Sequence, residues 1–219
     1  MGWLSVNIDF SNREVLLVGA GQVGRRKLAD LLAAGARVRV IEPKVDPFLA
    51  KLQASGEILL ENEFKESFLD ARPWVFLALD DNAEAQRLGA LARGRGLLVN
   101  RADRPEDCDF FMPALVGEAP FRLTVSTLGH APALSARVAK ELRTGYRGYG
   151  DLARLLGRVR PLILNSGLDP KKRRLIFKVL AEDKSLPELL SLGDKALLLA
   201  ALKKDLEPVE IPPDYPLFE

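Results

Sequence analysis

A mostly parallel, doubly wound α/β sheet is predicted for the first half of this 219-residue chain, followed by a small α+β segment and a C-terminal helical domain. Three observations predict it. An apolar strand, Glu14-Val-Leu-Leu-Val18, runs into a glycine-rich turn, Gly19-Ala-Gly-Gln-Val-Gly24, and then into a stretch with apolar residues at helical spacing. Strand-like and helix-like stretches then alternate to about residue 100, as parallel strands joined by crossover helices do. Beyond Met112-Pro113 strand propensity fades and helical periodicity takes over.

The first helix carries Leu28, Leu31 and Leu32 at core spacing and stops at Gly35, which suits a left-handed cap. Arg37-Val-Arg-Val-Ile41 is the second strand and ends at Glu42. Residues 45–55 read as helical, 57–60 as a short strand and 65–70 as a brief turn or helix. Residues 74–79 are a buried-type strand, 82–93 a helix and 96–100 another strand. Right-handed crossovers would bring the strand ends at Gly19, Glu42, Leu79 and Asn100 to one edge. Open α/β sheets bind their ligands along that edge. Farther on, 121–126 alternates as a half-buried strand, and Pro132 opens a helix to about Arg143. Gly145, Gly148 and Gly150 interrupt it, and 152–159, 171–181, 186–190 and 194–203 are helical. The last residues, 207–219, hold four prolines and are either frayed or an extended arm laid on a surface through Ile211, Tyr215, Leu217 and Phe218. The expected division is 1–112, a nucleotide-binding domain; 113–147, a central segment; and 148–219, a helical domain with an extended tail.

Composition narrows the function. Hydrophobic residues make up 47% and aromatics 7%, an ordinary globular profile, and the net charge of +2 gives no bulk attraction to nucleic acid or membrane. The single Cys108 has no partner for an internal disulfide and fits a reducing compartment. The N-terminus lacks the basic start and apolar core of a signal peptide, and no run approaches the ~20 apolar residues of a membrane span. A cytoplasmic protein is expected, with neither nucleic acid nor membrane as partner.

The glycine turn carries the first chemistry. Gly19 permits a tight exit from the strand, Gly21 presents no Cβ to an approaching pyrophosphate, and Gly24 lets helix and strand pack closely. With Gln22 and Val23 they form a cofactor-binding turn whose N–H groups, at a helix N-terminus, face phosphates. Glu42 lies roughly 20 residues farther on, at the end of the second strand, where an acid accepts from a ribose diol. It would repel a 2′-phosphate, so NAD is favoured over NADP; the plainer alternative is a surface Glu before Pro43.

Asp80 sits at the cofactor edge with Asp81, but bare carboxylates beside a pyrophosphate are repulsive, so capping of the helix near Asn82 is the expected use of Asp80. Asp103, just past the strand ending at Asn100, is placed to be a general base or metal ligand, or merely to form a turn before Arg104-Pro105. His130, the only histidine, lies in the loop 126–132 and can meet a substrate carboxylate, donate a proton or ligate metal, although a lone histidine is more often an ordinary surface side chain. With no second His and no Cys cluster, no metal site is assigned. Ser126 and Thr127 offer donors to an anion beside the next helix. Arg137, Lys140, Arg143 and Arg147 recur at helical spacing; such a face is usually just solvated, yet it would suit an acidic substrate.

The segment Val15-Leu-Leu-Val-Gly-Ala-Gly-Gln-Val-Gly-Arg-Arg-Lys27 resembles the start of precorrin-2 dehydrogenases, the NAD-dependent module of siroheme synthase. Ala78-Leu-Asp-Asp81, Asn100-Arg-Ala-Asp103, Phe110-Phe-Met-Pro113 and Val125-Ser-Thr-Leu-Gly-His-Ala-Pro132 extend the resemblance, in order, over about residues 8–143. It implies a Rossmann-type domain and NAD⁺-dependent oxidation of precorrin-2, a tetrapyrrole with eight carboxylates, to sirohydrochlorin in siroheme or cobalamin biosynthesis. It also implies a homodimer built through the central segment and helical domain, with Fe²⁺ insertion in some members. Asp103 matches the aspartate implicated as base and in chelation, Ser126 and Thr127 a Ser-Ser pair beside the substrate, and Asp80 an acidic pair near the cofactor. Three departures stand out: Ala-Thr-Asp-Asp becomes Ala78-Leu-Asp-Asp81, Asn-Val-Val-Asp becomes Asn100-Arg-Ala-Asp103, and Ser-Ser-Gly-Gly becomes Ser126-Thr-Leu-Gly129. The last two bear on chelation more than on dehydrogenation. The alternatives are a non-catalytic NAD(H) sensor and an NAD-dependent dehydrogenase for a small substrate; the motifs from Asn100 to Pro132 favour the tetrapyrrole enzyme.

Overall fold

The structure is a computed structural model that describes residues 2–71, 73–207, 209–212, 215 and 216. The chain divides into two compact units, one running to Met112 with Leu128–His130 added, the other Pro113–Thr127 with the residues from Ala131 onward.

The first unit is a five-stranded parallel sheet between helices. In chain order it has β1 (Glu14–Val18), α1 (Gln22–Ala33), β2 (Arg37–Ile41), α2 (Pro47–Ala54), β3 (Ile58–Glu61), β4 (Trp74–Leu77), α3 (Asn82–Gly94) and β5 (Val99–Arg101). The strands lie in the order β3-β2-β1-β4-β5 and every pairing is parallel. β1 is apolar almost throughout because both of its faces are covered. Its period-two alternation sends Val15 and Leu17 into one core with Leu28, Leu31, Val40 and Phe76, and Leu16 and Val18 into another with Leu77, Leu88, Ala92 and Val99. α1 thus covers one face of the sheet and α3 the other, the doubly wound arrangement the alternation predicts.

Two local expectations are corrected. Asp81, not Asp80, caps α3: its Oδ1 accepts from the N–H groups of Ala83 and Glu84 at 2.9 and 3.1 Å. The helix begins at Asn82, so the residue immediately before it is the one whose side chain can reach back to the second and third N–H groups. β5 starts at Val99 and runs on to Arg101, whereas the apolar pattern stops at Asn100; the final residue is an arginine that the fold buries.

The second unit opens with an antiparallel pair, β6 (Ala114–Val116) and β7 (Leu123–Val125), followed by α4 (Pro132–Gly145). β6 has only three residues, too few to show a period, and is an element the sequence pattern does not reveal. α5 (Tyr149–Asn165), α6 (Pro170–Glu182), α7 (Ser185–Leu192) and α8 (Lys195–Asp205) enclose one core. The stripe Leu152, Leu155, Val159 and Ile163 on α5 meets Ile176, Leu180, Leu186, Leu198 and Leu202. The described part of the tail is an arm packed on this helical core. Val209 is buried, Ile211 and Tyr215 pack against the cluster, and the Tyr215 hydroxyl donates to the Arg158 carbonyl at 2.8 Å. Leu217 and Phe218 lie outside the described residues. No helix among the described residues is long and apolar enough to cross a membrane.

Candidate nucleotide-binding and catalytic site

The glycine turn is pressed against its own sheet on one side and open on the other. Gly19 has φ +90°, and a Cβ there would stand 2.2 Å from the Ala78 carbonyl oxygen at the end of β4. A Cβ on Gly24 would stand 2.1 Å from the Gly19 oxygen. Neither position tolerates a side chain without moving backbone. At Gly21 an added Cβ meets nothing within 4 Å, so the face a pyrophosphate would approach is clear. Gly21 is the N-cap of α1, and no side chain caps it. Gly21, Gln22 and Val23 are exposed while Gly19, Ala20 and Gly24 are buried, so the first-turn N–H groups lie at the open side.

Glu42 is bonded to this turn directly. Its Oε2 accepts from the Ala20 N–H at 2.8 Å and its Oε1 from the Lys44 N–H at 3.1 Å. Each carboxylate oxygen has a second lone pair, so the same group can hold the turn and still accept from a ribose diol. Arg25 braces the other side, its Nε donating to the Ala20 carbonyl at 2.9 Å and its guanidinium pairing with Asp46 at 2.5 Å. These residues fit a dinucleotide phosphate: open N–H groups, no Cβ in the way, and an acid at the end of β2.

At the end of β5 the chain assembles a polar cluster that the sequence reading misses. Lys27 donates from Nζ to Asn100 Oδ1 at 2.7 Å, and Asn100 Nδ2 donates to the Phe110 carbonyl at 2.8 Å. Burial pushes the Lys27 ammonium below its ordinary pKa. A signal was present, because Gly24, Lys27, Leu28 and Leu31 share the inward face of α1 and a lysine there needs a partner. Next to it, the Arg101 side chain is 1% exposed. Its Nε donates to Asp103 Oδ1 at 3.1 Å and one terminal nitrogen to Asp103 Oδ2 at 2.5 Å. The other terminal nitrogen donates to Asp107 Oδ2 at 2.9 Å. Partial burial works to raise the Asp103 pKa, but the bonds and charge from Arg101 outweigh it and hold the carboxyl below the ordinary aspartate range. Cys108 packs beneath: its Sγ accepts from the Arg101 N–H at 3.2 Å, and burial pushes the thiol pKa up.

The remaining candidates fall elsewhere. Asp80 is exposed in the loop after β4. Leu128–His130 associate with the nucleotide-binding unit, where a Cβ on Gly129 would stand 2.4 Å from Pro105 Cβ; His130 itself is exposed. Ser126 and Thr127 belong to the second unit. Thr127 Oγ1 accepts from the Ala131 N–H at 3.1 Å and lies 3.0 Å from Ser135 Oγ, so its hydroxyl fixes the entry to α4. Arg137 lies on the solvated face of α4, 70% exposed and paired with Glu141 at 3.4 Å.

Comparison with known proteins agrees with this geometry. Residues 6–114 match a family model for NAD(P)-binding domains. The chain is 33% identical over 199 residues to siroheme synthase 1 of Aeromonas salmonicida, covering 90% of this chain and 42% of that protein. It is 31% identical over 209 residues to the siroheme synthase of Nitrosococcus oceani, covering 94% of this chain and 44% of that protein. The chain therefore spans less than half the length of these relatives. Among solved structures, SirC, a precorrin-2 dehydrogenase, superposes with a TM-score of 0.72 over 92% of this chain and all of SirC, at 24% identity. The first half of the chain is thus an NAD(P)-binding domain of Rossmann type. Over most of its length the chain is homologous to part of the siroheme synthases.

Proposed function

We propose that this chain is an NAD⁺-dependent precorrin-2 dehydrogenase that forms sirohydrochlorin. The observation that carries the reading is homology to siroheme synthases that continues past the nucleotide-binding domain, through the loop 126–132 and into the helices. The reaction moves a hydride from the reduced macrocycle to NAD⁺ and releases one proton. Bound NAD⁺ supplies the hydride acceptor; everything else falls to the protein. The N–H groups of Gly21, Gln22, Val23 and Gly24 hold the pyrophosphate, Glu42 accepts from the ribose, and Asp80 lies at the cofactor edge. Asp103 takes the proton, and Ser126, His130 and Arg137 meet the carboxylates of the substrate, while Thr127 holds the entry to α4 beside them. Holding the donor carbon against the nicotinamide is the dominant source of rate. In this reading the enzyme is a cytoplasmic homodimer, with 113–147 as the dimerisation and substrate segment and 148–219 as its helical support, and it uses neither nucleic acid nor membrane.

Anaerobic incubation with precorrin-2 and NAD⁺ is expected to give the absorbance of sirohydrochlorin together with NADH. A folded protein that binds NADH tightly yet oxidises nothing would replace this reading with that of a nucleotide sensor. The position of Glu42 further predicts that NAD⁺ is preferred over NADP⁺ by at least about tenfold in kcat/KM, some 1.4 kcal/mol. Glu42→Ser should bring the two cofactors close to parity. Equal use of both by the parent protein would remove the role assigned to Glu42.

A further inference from the structure

The cluster at the end of β5 contains a group that the proposed chemistry does not require. The Arg101 side chain is buried to 1% exposure, and its guanidinium is spent on Asp103 and Asp107, just beyond β5, and, at 3.5 Å, on Asn82 Oδ1 at the start of α3. The contact with Asp103 is a fork, one N–H to each carboxylate oxygen, the geometry in which arginine holds a carboxylate in a fixed plane. Asp103 therefore meets any ligand with both oxygens already engaged by a cation.

That arrangement suits one role for the carboxylate and obstructs another. As a fixed, ionised acceptor, Asp103 can still use its outward lone pairs, since its side chain is 27% exposed. A divalent metal ion is different. It binds carboxylate oxygen at about 2.0–2.2 Å and would share that oxygen with a guanidinium of like sign. The surroundings assemble no alternative site: among the described residues no group of three or more His, Cys, Asp or Glu side chains could hold a metal.

We propose that Arg101 determines reaction specificity: by holding a positive charge against both oxygens of Asp103 it withholds that carboxylate from divalent metal, so this chain oxidises its tetrapyrrole but does not insert metal into the product. The oxidation half rests on the function proposed above; the metal half stands apart and is tested apart.

The test supplies sirohydrochlorin and Co²⁺ directly, under anaerobic conditions, and follows the metal-dependent spectral change. With the parent protein the rate should equal that of the protein-free control; a rate several-fold above it overturns the proposal. Arg101→Val should accelerate insertion at least about tenfold over the control, and adding Asp103→Ala should abolish the gain. Because removal of a buried cation can prevent folding, Arg101→Lys is the second variant. It keeps the charge but cannot close the fork, and about a threefold gain is expected. If every variant that folds, as judged by its thermal melt, stays at the control rate, Arg101 is not the determinant and the proposal fails. The precorrin-2 and NAD⁺ assay on the same parent preparation separates the two claims: its failure removes the dehydrogenase reading and leaves the Co²⁺ result to decide the role of Arg101.

Discussion

A Gly21→Asp chain is expected to fold at least as stably as its parent and to lose NAD(H). The position has φ −65° and ψ −169°, which any residue adopts, and a Cβ there touches nothing within 4 Å. It is also the N-cap of an otherwise uncapped helix, where aspartate is among the preferred residues and glycine trails it by a few tenths of a kcal/mol. The new carboxylate would accept from the same first-turn N–H groups that a pyrophosphate needs, and would repel it. Loss of at least about 100-fold in NADH affinity, near 2.7 kcal/mol, is the expected result, with an unchanged or raised Tm. Gly24→Ala should behave in the opposite way. Its methyl would lie 2.1 Å from the Gly19 oxygen, so backbone must move and both stability and binding fall. A thermal melt and an NADH fluorescence titration on the two variants separate the glycine that serves the fold from the one that serves the ligand. Retention of NADH affinity within threefold by a folded Gly21→Asp protein would show that phosphate does not bind at this turn.

That separation explains why the nucleotide half of the chain is legible in its sequence. Each glycine of the turn answers a single local requirement, so the spacing carries the geometry with it. The same holds for β1, where two sets of alternating apolar residues feed two cores. Legibility ends where a residue's use depends on how a turn folds back on it or on a partner far away in the chain. Arg101 reads as an ordinary charged residue until Asn82, Asp103 and Asp107 are brought around it. Lys27 is intermediate: its place between Gly24 and Leu28 on an inward face is visible in the sequence, but its partner Asn100 is 73 residues away. Asp80 and Asp81 differ by one step of helix phase, which the sequence does not resolve and the backbone does. Thr127 shows a further limit, because a hydroxyl that looks available to a substrate is already engaged at the start of α4.

The sharpest test of the catalytic assignment must therefore separate the chemistry of Asp103 from its structural tie to Arg101. Asp103→Asn keeps the shape but loses the charge: its amide oxygen still accepts one arm of the fork, more weakly, and its NH2, a donor, cannot accept the other from the buried guanidinium. Breaking a fully buried pair costs about 3–5 kcal/mol; with Asp103 27% exposed, solvent recovers part of that, and about 1–3 kcal/mol is expected. The loss should depend on pH. Asp103 has a depressed pKa, so its stabilisation is complete above the ordinary aspartate range and disappears as pH falls through that range toward the folded-state value. The Tm deficit of Asp103→Asn should accordingly be largest at neutral pH and shrink in acid. Turnover should fall further than stability explains, by about 10²–10⁴-fold if Asp103 takes the proton, with NADH affinity unchanged. Asp107→Asn is the control, because it removes the other carboxylate from the same guanidinium and should cost comparable stability. Its turnover should stay within a few-fold of the parent. If both variants lose turnover equally, the effect travels through Arg101 and the shape of the loop, and Asp103 has no part in the proton transfer.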